Sequence, residues 1–234
     1  MTLVTLFVME IMMSGKTLMI AGYAPGLGAQ LKVKFEREGY TVVGIARGEG
    51  ADMQVDLTDA AAVEAMFTAL ETSHPPVTAV IHNAMQFLRD DFLNIDAQQF
   101  ELVWRSMALS AFNVSRSAVP RMIAHGGGAV LFSGASGSVR AGAGFSAFSS
   151  AKFALRGLSQ ALAREHEADN IHVIHALIDG LIWSDKTQQR FSGSAKAGSI
   201  DAVDLAQVYW QVMHQPRSAW THELDIKAPP LRAI

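Results

Sequence analysis

The run Gly22-Tyr23-Ala24-Pro25-Gly26-Leu27-Gly28 is the first stretch whose spacing can do chemistry. Glycine here permits a tight turn, close approach of backbone N–H groups to a phosphate, and close packing of a following helix. Gly22, Gly26, Leu27 and Gly28 are therefore expected to seat the pyrophosphate of a dinucleotide. Ser14-Gly15-Lys16-Thr17 resembles the end of a different phosphate loop, but Glu10 stands where its first glycine belongs and a strand follows instead of a helix. A site preferring NAD places a carboxylate about 20 residues past the glycine loop, to bond the ribose 2′-hydroxyl. This chain has Ala46-Arg47 there, with Glu49 close by. A guanidinium suits a 2′-phosphate, so Arg47 favours NADP(H), with NAD(H) as the alternative and an ordinary surface arginine as the bland reading.

The other polar candidates point nowhere so definite. His172 and His175 lie three apart on an expected strand, so they face opposite sides and cannot share a metal. His166 sits between two glutamates, as on a solvated surface. His82 ends a strand near the expected nicotinamide pocket and is a candidate for substrate contact. Arg140 reads either as a partner for an anionic substrate or as a solvated side chain. No ligand spacing for a metal appears.

These residues must be carried by something, and 234 residues suffice for one sizeable core. Half the chain is hydrophobic and 18% is charged, which excludes disorder and suits a sheet buried on both faces. A net charge of -3 gives no footprint for nucleic acid or anionic lipid. Cysteine is absent, which excludes disulfides, thiol catalysis and cysteine-bound zinc. No apolar run reaches transmembrane length, and a cytoplasmic location is expected. Residues 1–15 read as an N-terminal extension, with Met9, Met12 and Met13 as alternative starts, and 16–234 as one domain.

Strand-length apolar runs alternate with longer amphipathic segments, the pattern of a βαβ succession. Strands are expected at Thr17–Ala21, Thr41–Ala46, Asp52–Val55, Val77–His82, Ala129–Ser133, Ile171–Ile178 and Glu223–Ile226. Helices are expected from the glycine loop to Glu38, and over Asp59–Thr72, Ala97–Ala124, Phe148–Ala168 and Val203–His214. Pro120 should kink the long helix or shorten its last turn. The architecture expected is a Rossmann-like, doubly wound α/β fold with about seven parallel strands between helical layers.

From Lys16 onward the sequence resembles the short-chain dehydrogenase/reductase family. Gly22-x3-Gly26-x-Gly28 matches its glycine loop, with Ala21 in place of the usual threonine. Asp56 in Val55-Asp56-Leu57-Thr58 matches the adenine-contacting aspartate. His82-Asn83-Ala84-Met85 keeps the middle pair of Asn-Asn-Ala-Gly, and Asp179-Gly180-Leu181-Ile182-Trp183-Ser184 matches Pro-Gly-x-Val-x-Thr with Asp179 replacing proline. The resemblance implies that Asp56, Leu57, Asn83, Ala84, Gly180, Ile182 and Ser184 contact the cofactor. It also implies that the helix at Phe148 and the long helix before it pair across a two-fold axis in a homodimer or homotetramer.

The family's catalytic pattern is only half present. Phe148-Ser149-Ser150-Ala151-Lys152 falls where Tyr-x3-Lys belongs, so the lysine is kept and the proton-donating phenol is not. The relay asparagine falls on Met107, and the serine position falls on Ala135 with Ser136 beside it. The expectation is a short-chain-type oxidoreductase with a nonstandard proton path. It would transfer hydride to a small organic acceptor, with Ser136, or a water held by Ser136 and Lys152, supplying the proton. The alternative is a weakly active or inactive NADP(H)-binding pseudo-enzyme acting as a sensor or interaction protein. The loop Trp183–Ser199, polar and rich in small residues, is expected to shape the substrate site.

Overall fold

The computed structural model describes residues 15–190 and 196–229, so the proposed N-terminal extension lies outside the described residues except for Gly15. In chain order the main elements are β1 Lys16–Ala21, α1 Leu27–Arg37, β2 Tyr40–Ala46, β3 Met53–Gln54, α2 Ala60–Ser73 and β4 Val77–His82. Then follow α3 Ala97–Trp104, a π-helical turn Arg105–Leu109, α4 Ser110–Ala124, β5 Gly128–Ser133, α5 Ser146–His166, β6 Ile171–Asp179, α6 Asp185–Arg190, α7 Ala202–Met213 and β7 Glu223–Lys227. The seven strands pair in the order β3-β2-β1-β4-β5-β6-β7. Every neighbouring pair is parallel.

The apolar strands are apolar on both sides because two cores need them. Along β1, Met19 and Ala21 enter the core beneath α2, α4 and α5, while Leu18 and Ile20 enter the core beneath α1 and α7. This period of two is what a pleated strand imposes. The helices start where side chains can accept their first N–H groups. Asp59 caps α2 through Ala61 and Ala62, and Asp96 with Gln99 forms a reciprocal capping box on α3. Arg121 of α4 reaches Glu64 and Glu71 of α2 at 2.6 and 2.9 Å, tying those two helices together.

Two expectations about helices are corrected. The long segment from Ala97 is not one α-helix, and its irregularity is not at Pro120, which lies inside α4 with helix continuing to Ala124. The break is the π turn at Arg105–Leu109, where the hydrogen-bond register slips. The stretch Trp183–Ser199 is not simply a loop. It carries α6, a 3₁₀ turn at Lys196–Gly198 and a bridge from Ile182 to Ile200, while 191–195 lie outside the described residues. Elsewhere the ends of elements differ by one or two residues, as helix and strand ends commonly do.

The consequence for chemistry is positional. Gly22, Arg47, Asn83, Gly134 and Gly180 each directly follow a strand, so all five leave the same carboxyl edge of the sheet. In open α/β sheets that edge forms the ligand-binding crevice.

Candidate active site

At the centre of that edge the glycine loop meets two other loops. Gly22 has φ +84°, and a Cβ there would overlap the backbone of Ala84, so the loop can lie against Asn83-Ala84 only as glycine. The Asn83 amide donates to the Ala21 carbonyl at 2.7 Å, fixing the same junction. Gly26 has φ +99°, and its missing Cβ would lie 3.2 Å from Cβ of Ser184. Ser184 is itself fixed, with Oγ 2.9 Å from the Thr187 hydroxyl and 3.2 Å from its amide. Ile182 bridges to Ile200, and Gly180 packs against Ala228 at a position where a Cβ would not fit. Thus Gly22, Gly26, Asn83, Ala84, Gly180, Ile182 and Ser184 all gather around one crevice. Leu27 and Gly28, both buried, begin α1 beneath it.

The outer end of the crevice holds Arg47 and Asp56. Arg47 is exposed just past β2 and makes no ion pair among the described residues. Asp56 accepts the amide and hydroxyl of Thr58 at 2.9 Å each. Those bonds, with Arg47 and Arg105 nearby, hold its carboxyl below the usual range. Leu57 is turned inward: its side chain is in the core and its carbonyl accepts Asn113 Nδ2 at 3.1 Å.

The inner end contains Lys152, which is 3% exposed. Its Nζ donates to the Ser133 carbonyl at 2.7 Å and stands 5.8 Å from the centroid of the Phe148 ring. No carboxylate neutralises it among the described residues, and burial pushes the ammonium down to about 8. Ser133 is anchored from the other side, with Oγ 3.0 Å from the Tyr209 hydroxyl. Ser136 opens the 3₁₀ turn Ser136–Ser138, half-buried, and its hydroxyl makes no hydrogen bond among the described residues. Gly137 next to it presses on Phe148, since a Cβ there would lie 3.0 Å from Phe148 Cε1. Lys152 and the turn headed by Ser136 are therefore both brought to Phe148. Met107, from the π turn, is fully buried and joins Phe148 in an apolar cluster with Val103, Ala147 and Ala151.

Two further candidates take definite partners. His82 does not face the crevice: it is 1% exposed, with Nε2 2.8 Å from Ser110 Oγ. The Ser110 hydroxyl proton goes to the Ser106 carbonyl at 2.8 Å, so His82 Nε2 is the donor. Burial, aided by the charge of Lys152, pushes its pKa to about 3 and keeps it neutral. Arg140 is 65% exposed, in keeping with the solvated reading, and its Nη2 donates to both oxygens of Asp179 at 2.9 Å. That pair joins the turn after β5 to the end of β6 and accounts for an aspartate where the family motif has proline. His175, on the other face from His172, supports the same turn through Ser138 Oγ at 3.2 Å.

Sequence reasoning also missed Tyr23, whose ring fills the space a Cβ on Gly44 would need, and the phenylalanines Phe87 and Phe145 beside Phe148. Glycine inside a strand is the one available signal for the first. For the second, Phe145 stands at the N-cap of α5 three residues before Phe148, a spacing that was legible, whereas Phe87 comes from a separate loop that no local pattern connects to them.

A doubly wound parallel sheet with a glycine loop and a buried lysine at its carboxyl edge defines a nucleotide-dependent dehydrogenase architecture. The sequence pattern described as short chain dehydrogenase matches residues 16–194, and the chain belongs to that family. A crystal structure of a short-chain dehydrogenase from Rhodopseudomonas palustris is 30% identical, covers 92% of this chain and 99% of that one, and has a TM-score of 0.78. The 3alpha-hydroxysteroid dehydrogenase of Mediterraneibacter gnavus is 26% identical over 195 residues, 76% of this chain and 78% of that protein. ElxO with NADP bound is 17% identical with a TM-score of 0.82, over 91% of this chain and 97% of that one. A tyrosine-to-phenylalanine variant of ElxO with NADPH bound is 18% identical with a TM-score of 0.81, over 90% and 96%.

The buried ammonium has a measurable cost. Lys152 has a folded pKa of about 8 against an ordinary 10.5, so between those values the unfolded chain binds the extra proton. Stability should therefore rise with pH across that window, and below it the penalty is about 3 kcal/mol. Lys152→Met should unfold at a higher urea concentration than the native chain at pH 7 and lose the rise between pH 8 and 10.5. Urea melts at a series of pH values check both.

Proposed function

We propose that the chain is an NADP(H)-dependent oxidoreductase of short-chain type with a nonstandard proton path, moving hydride to a small organic acceptor. The observation that carries the reading is Lys152: an ammonium buried without a carboxylate, beside a ring that has no proton to give. Burying a lone charge is costly, and a ligand that engages it explains its retention. The chain's own geometry fits a dinucleotide in three ways. The positive φ angles and close approaches of Gly22 and Gly26 leave room for phosphate at the start of α1. Arg47, where a 2′-phosphate would lie, has no ion pair among the described residues. Lys152 uses one acceptor and keeps further N–H donors.

The roles follow from those positions. Backbone N–H groups at Gly26, Leu27 and Gly28 hold the pyrophosphate, aided by the partial positive charge of the helix start. Arg47 binds the 2′-phosphate, and Asp56 with Leu57 borders the adenine. Asn83 and Ala84 form the floor, Gly180, Ile182 and Ser184 the nicotinamide wall, and Lys152 holds the ribose hydroxyls. Bound in this way, NADPH supplies the hydride. Phe148 excludes water from one side and donates nothing, and Met107 interrupts the usual relay. The proton then comes from a water held between the Ser136 hydroxyl and Lys152, whose pKa of about 8 suits proton exchange near neutrality. ElxO is seen with NADP bound, and a tyrosine-to-phenylalanine variant of it with NADPH bound, which supports the NADP(H) reading.

The packing of Phe148 with Met107 favours one second reading, a catalytically weak NADP(H)-binding sensor or interaction protein. We also propose a homodimer formed through α3, α4 and α5. Leu102, Trp104, Phe112 and Phe153 are 46%, 39%, 48% and 45% exposed there, too much large apolar surface to leave in water.

Fluorescence titration should show tighter binding of NADPH than of NADH, and Arg47→Ala should erase the difference. Equal affinities in the native chain would remove the argument from Arg47.

Phe148→Tyr should raise reduction of an activated carbonyl at least about 10-fold, within the 10²–10⁴ that a positioned general acid contributes. Lys152→Ala should weaken NADPH binding in both readings. No gain in Phe148→Tyr while NADPH still binds would favour the sensor reading.

Light scattering at micromolar concentration should give the mass of a dimer. A monomer would overturn the helix-face assignment.

A further inference from the structure

On the side of Phe148 away from the glycine loop, the crevice is walled by rings. Phe87, Phe145 and Phe148 form a triangle with centroid separations of 5.5, 6.1 and 6.3 Å and interplanar angles of 60, 73 and 65°. Phe87 and Phe145 are half-buried, and the partly buried Leu88 and Ile95 extend the same apolar surface. Two of the pairs are edge to face and the Phe87–Phe148 pair is tilted, so ring faces and edges stand at several angles, which favours a flat ligand over a puckered one.

Among the described residues, the rim carries a cation with unused donors, Arg89. The Arg89 guanidinium stands over the Phe145 ring, with Cζ 5.3 Å from its centroid. Asp90 and Asp91 follow it in sequence, but neither pairs with it, and one oxygen of each takes local hydrogen bonds. Asp90 accepts the Asp91 amide at 2.7 Å and Asn94 Nδ2 at 3.1 Å, and Asp91 accepts the Leu93 amide at 3.1 Å. Arg89 has no ion pair among the described residues, whereas Arg140 is held on both oxygens of Asp179. A guanidinium resting on an aromatic face keeps its planar fork available to a carboxylate.

We infer that the Phe148 crevice binds planar aromatic carboxylates, with the ring system against Phe87 and Phe145 and the acid group on Arg89. The inference deepens the proposed function and rests on its reading of this crevice as the substrate side. Charge at the rim supplies orientation, and the ring wall supplies apolar contact. Arg140, neutralised by Asp179, takes no part.

The test is calorimetric titration of the full chain, both free and saturated with NADPH. The probes are naphthoate, its neutral counterpart acetonaphthone, and cyclohexanecarboxylate. Naphthoate should bind at least about tenfold more tightly than either other probe, the scale of one charge-assisted hydrogen bond or of the lost ring contact. Arg89→Gln should remove the preference for naphthoate over acetonaphthone and leave acetonaphthone unchanged. Phe145→Leu should weaken both aromatic probes, and Arg140→Gln should leave the preference intact. Similar affinities for all three probes, or a carboxylate preference that survives Arg89→Gln or disappears in Arg140→Gln, would overturn the inference. Naphthoate binding without NADPH binding would keep it and overturn the cofactor assignment. NADPH binding without any probe preference would do the reverse.

Discussion

The single contact between Lys152 Nζ and the Ser133 carbonyl, 2.7 Å long and almost wholly out of water, sets the terms for the rest of the crevice. Burial keeps the nearby His82 neutral, the Lys152 charge reinforces this, and the ring is held as a hydrogen-bond donor to Ser110. The Lys152 contact also fixes where β5 must end. Ser133 offers its carbonyl to Lys152 and its hydroxyl to Tyr209, so the strand is clamped between helices on opposite faces of the sheet. The turn that follows, with Ser136 at its head, starts from a clamped point. Its far end is held by Arg140 on Asp179.

The crevice thereby divides into two environments. Toward the glycine loop it offers backbone amides, an arginine with no ion pair among the described residues, and an ammonium, all suited to phosphates and ribose hydroxyls. Toward Phe148 it offers rings, with Met107 fully buried behind them and Ser136 at the border, its hydroxyl without a hydrogen bond among the described residues. Low polarity on that side strengthens each electrostatic contact made there and removes the side-chain acid that carbonyl reduction ordinarily uses. On the function proposed above, the acceptors are ones that need little help from an acid. The same division explains why the family's cofactor-side motifs are mostly present in this chain while its proton-handling residues are replaced.

The sheet, its seven strands and the glycine loop were legible in the sequence because each depends on a short-range pattern: apolar runs of strand length, glycines at fixed offsets, caps such as Asp59 and Asp96. The pairing of Phe148 with Lys152 and the packing of the turn after β5 on Phe148 through Gly137 were approached through family resemblance, which carries long-range pairing that periodicity does not. What was missed has a common physical origin. Arg140 and His82 look available in sequence because their partners, Asp179 and Ser110, lie 39 and 28 residues away. The π turn was hidden because Arg105-Ser106-Met107-Ala108-Leu109 has ordinary helical composition, and its register slip arises in the packing around Met107 and Phe148. Pro120 is tolerated within α4 because tertiary packing of that helix outweighs one lost backbone bond. The ring triangle was illegible only in part: Phe145 and Phe148 share the start of α5, but Phe87 joins them from a loop 58 residues before Phe145.

The account stands or falls on what Lys152 does when the crevice is filled, and a crystal structure of the chain with NADPH measures that most directly. The predicted result places Lys152 Nζ within about 2.6–3.2 Å of a ribose hydroxyl, with an ordered water shared between it and Ser136 Oγ. A nucleotide lying elsewhere, or one bound in the crevice while Nζ keeps only the Ser133 carbonyl, would contradict it.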